Sequence, residues 1–204
     1  MTWVNSKNKK SAFSPYNNAA FNSKGTTVLT NLQRGNTEAK ISSSITLNFH
    51  EKTGQGEISE EEIRSQESVN LPDIDKYTPL HWACYYGQLK TAQTLIECGA
   101  DVNYLADNFV SPLHLAASEG HHEIVRLLIQ YRAKVNQMDI DGNTPLHFAA
   151  SNNHPHSTNE LLNTLSADIL LTNTENRTAY HLAVEKKSHL SQAVIENFMI
   201  SVLN

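Results

Sequence analysis

The chain has 204 residues, 39 % of them hydrophobic, and a mean hydropathy of −0.43; this fits a soluble protein with a modest core and leaves no apolar run near the roughly 20 residues a membrane helix needs. The formal net charge of −5 hides an asymmetry, because residues 1–44 carry a balance of +5 and residues 45–204 one of −10. An acidic body argues against direct tracking of a nucleic acid backbone, so any contact with DNA is expected only through partners. The N-terminus Met1-Thr2-Trp3-Val4 lacks an apolar signal region, and Cys84 and Cys98 make no disulfide framework. Together these predict a reducing compartment, with both thiols as buried small apolar groups.

Residues 1–44 are rich in Asn, Ser, Thr and Lys without sustained periodicity. Such a stretch buries too little apolar surface to offset chain entropy and is expected to be a disordered basic tail. Its Lys7-Asn8-Lys9-Lys10 cluster reads either as an import signal or as ordinary solvated charge. Residues 45–72 follow with apolar Ile45, Leu47 and Phe49, a Gly54-Gln55-Gly56 break and an acidic, helix-prone run around Ile58 and Ile63. Val69-Asn70 stands 33 residues before Val102-Asn103, which suggests a degenerate, loosely held capping repeat.

From there the chain repeats itself. Thr78-Pro79-Leu80-His81-Trp82-Ala83 returns as Ser111-Pro112-Leu113-His114-Leu115-Ala116, as Thr144-Pro145-Leu146-His147-Phe148-Ala149 and, worn, as Thr178-Ala179-Tyr180-His181-Leu182-Ala183, at steps of 33, 33 and 34 residues. The physical content is a capped helix start: Ser or Thr serves the orphan amides, Pro at the first helical position sacrifices no donor, and Leu and Ala face the core. Gly87 and Gly120 end the short helix where positive φ is needed, and Asn153 and Lys187 occupy the same place. A second helix follows with paired aliphatics Leu95-Ile96, Leu127-Leu128, Leu161-Leu162 and Val194-Ile195. Pro155 is expected to lengthen the loop before the third of these and to delay that helix. The last helix, from Ser188 to about Leu203, carries Leu190, Val194, Ile195, Phe198, Ile200 and Val202 and is expected to seal the C-terminal end of the core.

This period and the Thr-Pro-Leu-His element resemble the ankyrin repeat. The resemblance implies an all-α solenoid of paired antiparallel helices joined by short hairpin turns. It divides the chain into repeats at 73–106, 107–139 and 140–173, the last with one inserted residue, and a C-terminal capping repeat at 174–204 with an extended last helix.

Ten histidines invite a catalytic or metal reading. His81, His114, His147 and His181 stand one per repeat, which makes a structural ladder rather than a converging ligand set. His121-His122-Glu123 lacks the one-turn spacing of a zinc motif, and His154-Pro155-His156 has no third ligand nearby. With no phosphate loop, nucleophile elbow or Cys-x-x-Cys pair, an enzyme, a metal centre and a bound cofactor are all unexpected.

What remains is a binding surface. In stacked repeats it is built from turn tips and the solvent side of each first helix. The residues just before each signature are Tyr77, Val110, Asn143 and Arg177, and those before the helix-ending position include Tyr85, Tyr86, Ser118, Glu119, Ser151 and Asn152. Trp82 reads equally as core or as groove. Tandem Tyr85 and Tyr86 have no evident packing need, and aromatics give large contact area at low entropy cost. Phe109 replaces the usual turn glycine. An apolar strip from Tyr85 and Tyr86 to Phe109 and Val110 would suit an extended peptide with Leu or Pro anchors, with Asn143, Ser151 and Asn152 bonding its backbone.

Off-consensus residues are similar to a narrower group, that of the RFX-associated ankyrin-containing protein and ankyrin repeat family A protein. They are Leu47-x-x-His50 with Gln55-Gly56-Glu57-Ile58, then Val69-Asn70-Leu71-Pro72-Asp73, Leu105-Ala106 after Gly99-Ala100-Asp101, and the ending Leu182-Ala183-Val184 with Gln192-Ala193-Val194-Ile195-Glu196. The His at each signature, a shorter first repeat and the extra residue near Pro155 depart from that group. The resemblance implies a nuclear and cytoplasmic adaptor, monomeric within a hetero-complex, which accepts a short Pro/Leu motif and joins transcription-factor subunits of RFX type. The stretch from Thr78 to Ala150, with His81-Trp82-Ala83-Cys84 and Gln130-Tyr131, is also similar to the ankyrin domain of integrin-linked kinase, which implies a cytosolic scaffold of adhesion or signalling complexes instead. An inhibitor that plugs an enzyme with its turn tips is a third class.

Overall fold

A computed structural model describes residues 48–164 and 166–203; the expectations for the tail and for Ile45 and Leu47 lie outside them. Each signature starts a helix as its chemistry requires. Thr78, Ser111, Thr144 and Thr178 hold extended backbone as N-caps, and Pro79, Pro112 and Pro145 take the first helical position. The resulting first helices are α3 (Pro79–Tyr85), α5 (Pro112–Ser118), α7 (Pro145–Ser151) and α9 (Ala179–Glu185). Each is paired with a second helix: α4 (Leu89–Glu97), α6 (His122–Gln130), α8 (Pro155–Leu162) and α10 (His189–Leu203). Ahead of them α1 (Phe49–Gln55) and α2 (Glu60–Arg64) form a shorter pair. First helices pack on first helices and second on second, from α1 and α2 onward.

The core sits between the two layers. Leu80, Leu113 and Leu146 fill it from the first helices, and Leu95, Leu128, Leu161 and Ile195 from the second. Ala83, Ala116, Ala149 and Ala183 are completely buried, because only a methyl fits where one first helix crosses the next. At the offset of Ile124 in the second-helix layer the other repeats bury a hydroxyl residue, Thr91, Ser157 and Ser191. Of the six apolar residues expected to seal that end, only Ile195 is fully buried, while Leu190, Ile200 and Val202 are exposed. Cys84 is buried as expected, and burial pushes its thiol pKa up; Cys98 is only half-buried.

Three hydrogen-bond ladders tie neighbouring repeats. In the first, His81 Nδ1 accepts from the Thr78 amide at 3.1 Å and lies 2.8 Å from the Thr78 hydroxyl, while Nε2 donates to the Val110 carbonyl of the next repeat at 3.2 Å. His114 reaches Asn143 and His147 reaches Arg177 in the same way. The ring thus completes a capping box, in the role usually held by Glu or Gln, and clasps the following hairpin. In the second ladder Asn70, Asn103 and Asn136 each donate to a carbonyl one repeat on, at Gly99, Arg132 and Ser166. In the third, Gln88 donates to the Gly54 carbonyl, His121 to Tyr85 and Ser188 to Ser151.

The third ladder explains the helix-ending positions. Gly87, Gly120, Asn153 and Lys187 all have positive φ, at 75°, 80°, 60° and 59°. A Cβ on Gly87 would stand 2.6 Å from the His121 ring, and one on Gly120 would collide with His154. Asn153 meets no such ring, since Ser188 takes the place of His121 and His154, and its side chain accepts from the Leu190 and Ser191 amides at the start of α10. Pro155 does not delay its helix. It is the first residue of α8, at the same offset from its signature as His122 and Leu89, because Pro fits the first helical turn without loss of a bond. The extra residue is absorbed after α8 instead.

Two outcomes follow from this layer of structure. Burial lowers the pKa of His81 to about 3 and of His114 to about 4, and lowers that of His147. Their neutral forms contribute stability that is intact above the unfolded pKa of about 6.5 and is lost as pH falls below it. Between pH 7 and pH 5 His81 and His114 should each cost about 2 kcal/mol by proton linkage; a urea midpoint that does not move over this range would contradict the neutral, buried rings. At the helix ends, Lys187→Gly should stabilise by about 1 kcal/mol by releasing a left-handed side chain. Asn153→Gly should bring no such gain, because the released left-handed strain is offset by the loss of the acceptor for the α10 amides; chemical denaturation of the two variants measures both.

Candidate functional site

Four five-residue hairpins precede the first helices, at 73–77, 106–110, 139–143 and 173–177. Each closes with the amide of its first residue donating to the carbonyl of its fifth, as from Asp73 to Tyr77 at 2.9 Å and from Ala106 to Val110 at 2.8 Å. The fourth residue is left-handed in all of them: Lys76, Phe109, Gly142 and Asn176 have φ of 61°, 60°, 77° and 55°. In three hairpins the first side chain is a hub. Asp73 Oδ1 accepts from the Asp75 and Tyr77 amides, Asp139 Oδ1 from Asp141 and Asn143, and Asn173 Oδ1 from Glu175 and Arg177. Ala106 has no acceptor to offer. There Asn108 also turns left-handed, at φ 60°, which gives two consecutive positive-φ residues of the kind that favour Asn-Gly, with Phe standing in the glycine's place.

The hubs also govern the aromatic residues. Trp82 is almost fully buried and donates from Nε1 to Asp73 Oδ2 at 2.9 Å. Its ring stacks on Tyr86 at 6.1 Å, and Tyr86 meets Tyr85 edge-on at 5.0 Å. Gly54 of α1 packs against this step so closely that a Cβ there would lie 2.8 Å from the Tyr86 ring. Tyr86 therefore has a packing role, contrary to the expectation from sequence, yet 39 % of it stays exposed. Tyr85 is half-buried and lies near Glu119, whose charge adds to burial in raising the tyrosine's pKa.

Several expected surface residues are interior. Tyr77 is buried against the edge of the His81 ring at 5.5 Å, and burial pushes its pKa up to about 12. Val110 has no exposed surface, since its carbonyl is clasped by His81 and its side chain closes the hairpin onto the core. Ser118 is also buried, and Asn152 Nδ2 donates to its carbonyl at 2.9 Å and to its hydroxyl at 3.1 Å. These three are corrections: Tyr77, Val110 and Ser118 face inward, whereas Asn143, Tyr85 and Ser151 at the same offsets stay half-buried. The apolar strip is broken at Val110. Phe109 sits before the start of α5 and Tyr85 beside its end, so a helix of seven residues, about 10 Å at 1.5 Å per residue, lies between them.

The remaining expected residues are accessible. Glu119 and Asn152 are exposed, and Ser151 is half-buried with its hydroxyl on the Phe148 carbonyl at 3.2 Å. Asn143 is half-buried and accepts from Asn173 Nδ2 at 2.9 Å, while exposed Arg177 pairs with Glu185. The cluster actually brought together is Trp82, Tyr85 and Tyr86 with Glu119, followed along the stack by Ser151 and Asn152. Sequence reasoning missed Gly54 and the Asp73, Asp139 and Asn173 hubs; an acceptor five residues before the signature recurs at the repeat spacing and was the signal available. Among the described residues no group of three or more His, Cys, Asp or Glu is placed to hold a metal ion.

The family model described as ankyrin repeats (3 copies) matches residues 17–139 and 113–197. The chain belongs to the ankyrin-repeat family. Among curated relatives, it is 39 % identical over 87 residues to the DNA-binding protein RFXANK of Homo sapiens, covering 41 % of this chain and 34 % of that protein. The Mus musculus RFXANK is 32 % identical over 97 residues, covering 41 % and 36 %. Ankyrin repeat family A protein 2 of Homo sapiens is 34 % identical over 87 residues, covering 40 % and 27 %. The matched stretch thus spans about a third of the length of these relatives.

One hub exposes a defect. Asp139 Oδ2 is buried without a hydrogen-bond partner, and burial raises this carboxyl's pKa. The residue at the Trp82 offset in that repeat is Phe148, which carries no N–H to match the bond from Trp82 to Asp73. Phe148→Trp should supply the donor, stabilise the fold by about 1 kcal/mol and bring the Asp139 pKa down. An Asp139 titration by NMR that is unchanged in the variant would refute the pairing.

Proposed function

We propose that this ankyrin-repeat protein is a non-enzymatic adaptor that binds an extended, Pro/Leu-containing segment of a partner protein across its first helices. The observation that carries the reading is the aromatic step at the first full repeat. Trp82 is locked by its bond to Asp73, Tyr86 is stacked on it, and Tyr85 stands edge-on beside them with exposed Glu119 next along the face. Rigid aromatics held by packing bind with little loss of side-chain entropy. Asn152 and Ser151 lie farther along the stack with polar groups suited to an extended backbone.

The similarity to RFXANK supports a place as subunit or coactivator of an RFX-type transcription-factor complex, in the nucleus as well as the cytoplasm, within a hetero-complex. The acidic balance of residues 45–204 supports contact with DNA through partners only. The repeats at 73–106, 107–139 and 140–173 supply the surface, and the pairs at 45–72 and 174–204 close its two ends.

Pull-down of the full chain from nuclear extract should recover an RFX-type DNA-binding subunit, and Tyr85→Ala should weaken that capture about tenfold. Tyr85 is chosen because Tyr86 also seats α1, so its truncation would confuse folding with binding. The Tyr85 variant should stay folded and lose about 1 kcal/mol of stability, the contribution of its edge-on contact with Tyr86. Full capture by a folded Tyr85→Ala protein would sink the aromatic-step reading. Recovery of adhesion-complex proteins in place of transcription factors would sink the RFX assignment alone.

A further inference from the structure

The hairpin tips form a second surface, separate from the aromatic step. Neighbouring hairpins are joined by backbone bonds: Asp107 donates to the Asp75 carbonyl at 3.4 Å, Ile140 to Asn108 at 2.9 Å and Thr174 to Asp141 at 2.9 Å. The tips therefore make one continuous row. Three large apolar side chains stand out from it, one per repeat: Ile74 is 95 % exposed, Phe109 56 % and Ile140 54 %.

The row is also acidic. The four hairpins hold Asp73, Asp75, Asp107, Asp139, Asp141 and Glu175 against Lys76 and Arg177, six acidic residues to two basic. Both cations are occupied, Lys76 by Asp107 at 2.9 Å and Arg177 by Glu185. Asp75, Asp141 and Glu175 are exposed and make no ion pair among the described residues. A surface that alternates bulky apolar groups with unpaired carboxylates is complementary to apolar groups interleaved with cations.

Phe109 adds a separate argument. The same hairpin position is Gly142 in the next repeat, and left-handed backbone is costly for a bulky side chain. A strained aromatic held outward in solvent, where glycine would serve the fold better, is the kind of residue kept for contact.

We propose that Ile74, Phe109 and Ile140, with Asp75, Asp141 and Glu175, form a docking edge for an extended partner segment that alternates bulky apolar and basic residues. Packed helices stack about 10 Å apart, and an extended polyproline II segment advances about 3.1 Å per residue with about three residues per turn, which returns every third side chain to the same face. The segment therefore carries an apolar residue at every third position and Lys or Arg between.

The probe is a short fluorescent peptide with leucine at every third position and lysine elsewhere, read by fluorescence anisotropy against the full chain. It should bind with an affinity that falls as salt rises, and its glutamate counterpart should not bind. Phe109→Gly should weaken binding about tenfold while raising the melting temperature, a combination that loss of structure does not produce. Asp141→Asn should weaken binding and flatten its salt dependence, and Tyr85→Ala should leave binding unchanged. The proposal is overturned if the lysine peptide fails to bind, if Phe109→Gly binds it like the parent, or if Tyr85→Ala abolishes binding and so places the peptide on the aromatic step.

Discussion

The fold depends on a neutral imidazole that does two jobs at once. One ring nitrogen accepts within its own repeat, at the helix cap, and the other donates to the carbonyl that ends the next hairpin. A Glu in that place would complete the cap but would carry no N–H to offer the next repeat. The ring spans two repeats because it has both functions fixed on opposite sides of a rigid plane. In the fourth copy Thr178 and His181 still form the cap, and among the described residues His181 has no following hairpin to reach. The asparagine ladder runs out at the same place, and exposed Leu170 stands at the offset held by Asn70, Asn103 and Asn136.

Because the ladders fix each repeat relative to the next, variation is allowed only where they do not reach. Gly87 and Gly120 are held by the rings of His121 and His154, whereas the same place becomes Asn153 where the next repeat supplies Ser188 in the ring's position. The hairpins show the same rule. An acidic or amide hub pins three of them, and where Ala106 replaces it the backbone compensates with a second left-handed residue. Exposed aromatic surface therefore gathers at the irregular repeats: the aromatic step at the first full copy and Phe109 at the second.

Much of this was legible in the sequence. The period, the capped helix starts, the positive-φ ends at Gly87, Gly120, Asn153 and Lys187 and the structural histidines are local consequences of residue type at fixed spacing. The surface was less legible. Tyr77, Val110 and Ser118 occupy offsets that also hold exposed Arg177 and Glu185, and nothing in the local pattern separates the two cases. What decides is the individual contact made by the next repeat, as where Asn152 bonds both the carbonyl and the hydroxyl of Ser118. The helix start at Pro155 was misjudged because proline has two local meanings, breaker and first-turn residue, and the neighbouring stack selects the second.

By itself the sequence determined that this chain is a stack of paired helices with an acidic body, since periodicity, capping and charge are properties of the chain as written. Only the tertiary structure decided which aromatics are walls and which are surface. Trp82 turned inward because Asp73 offers its Nε1 an acceptor, Tyr86 was partly covered because Gly54 lets a helix close on it, and Phe109 stands outside at the left-handed hairpin position that also exposes Lys76 and Asn176. For Trp82 and Tyr86 the partner lies in a neighbouring element, and burial is settled by such partners rather than by the residue alone.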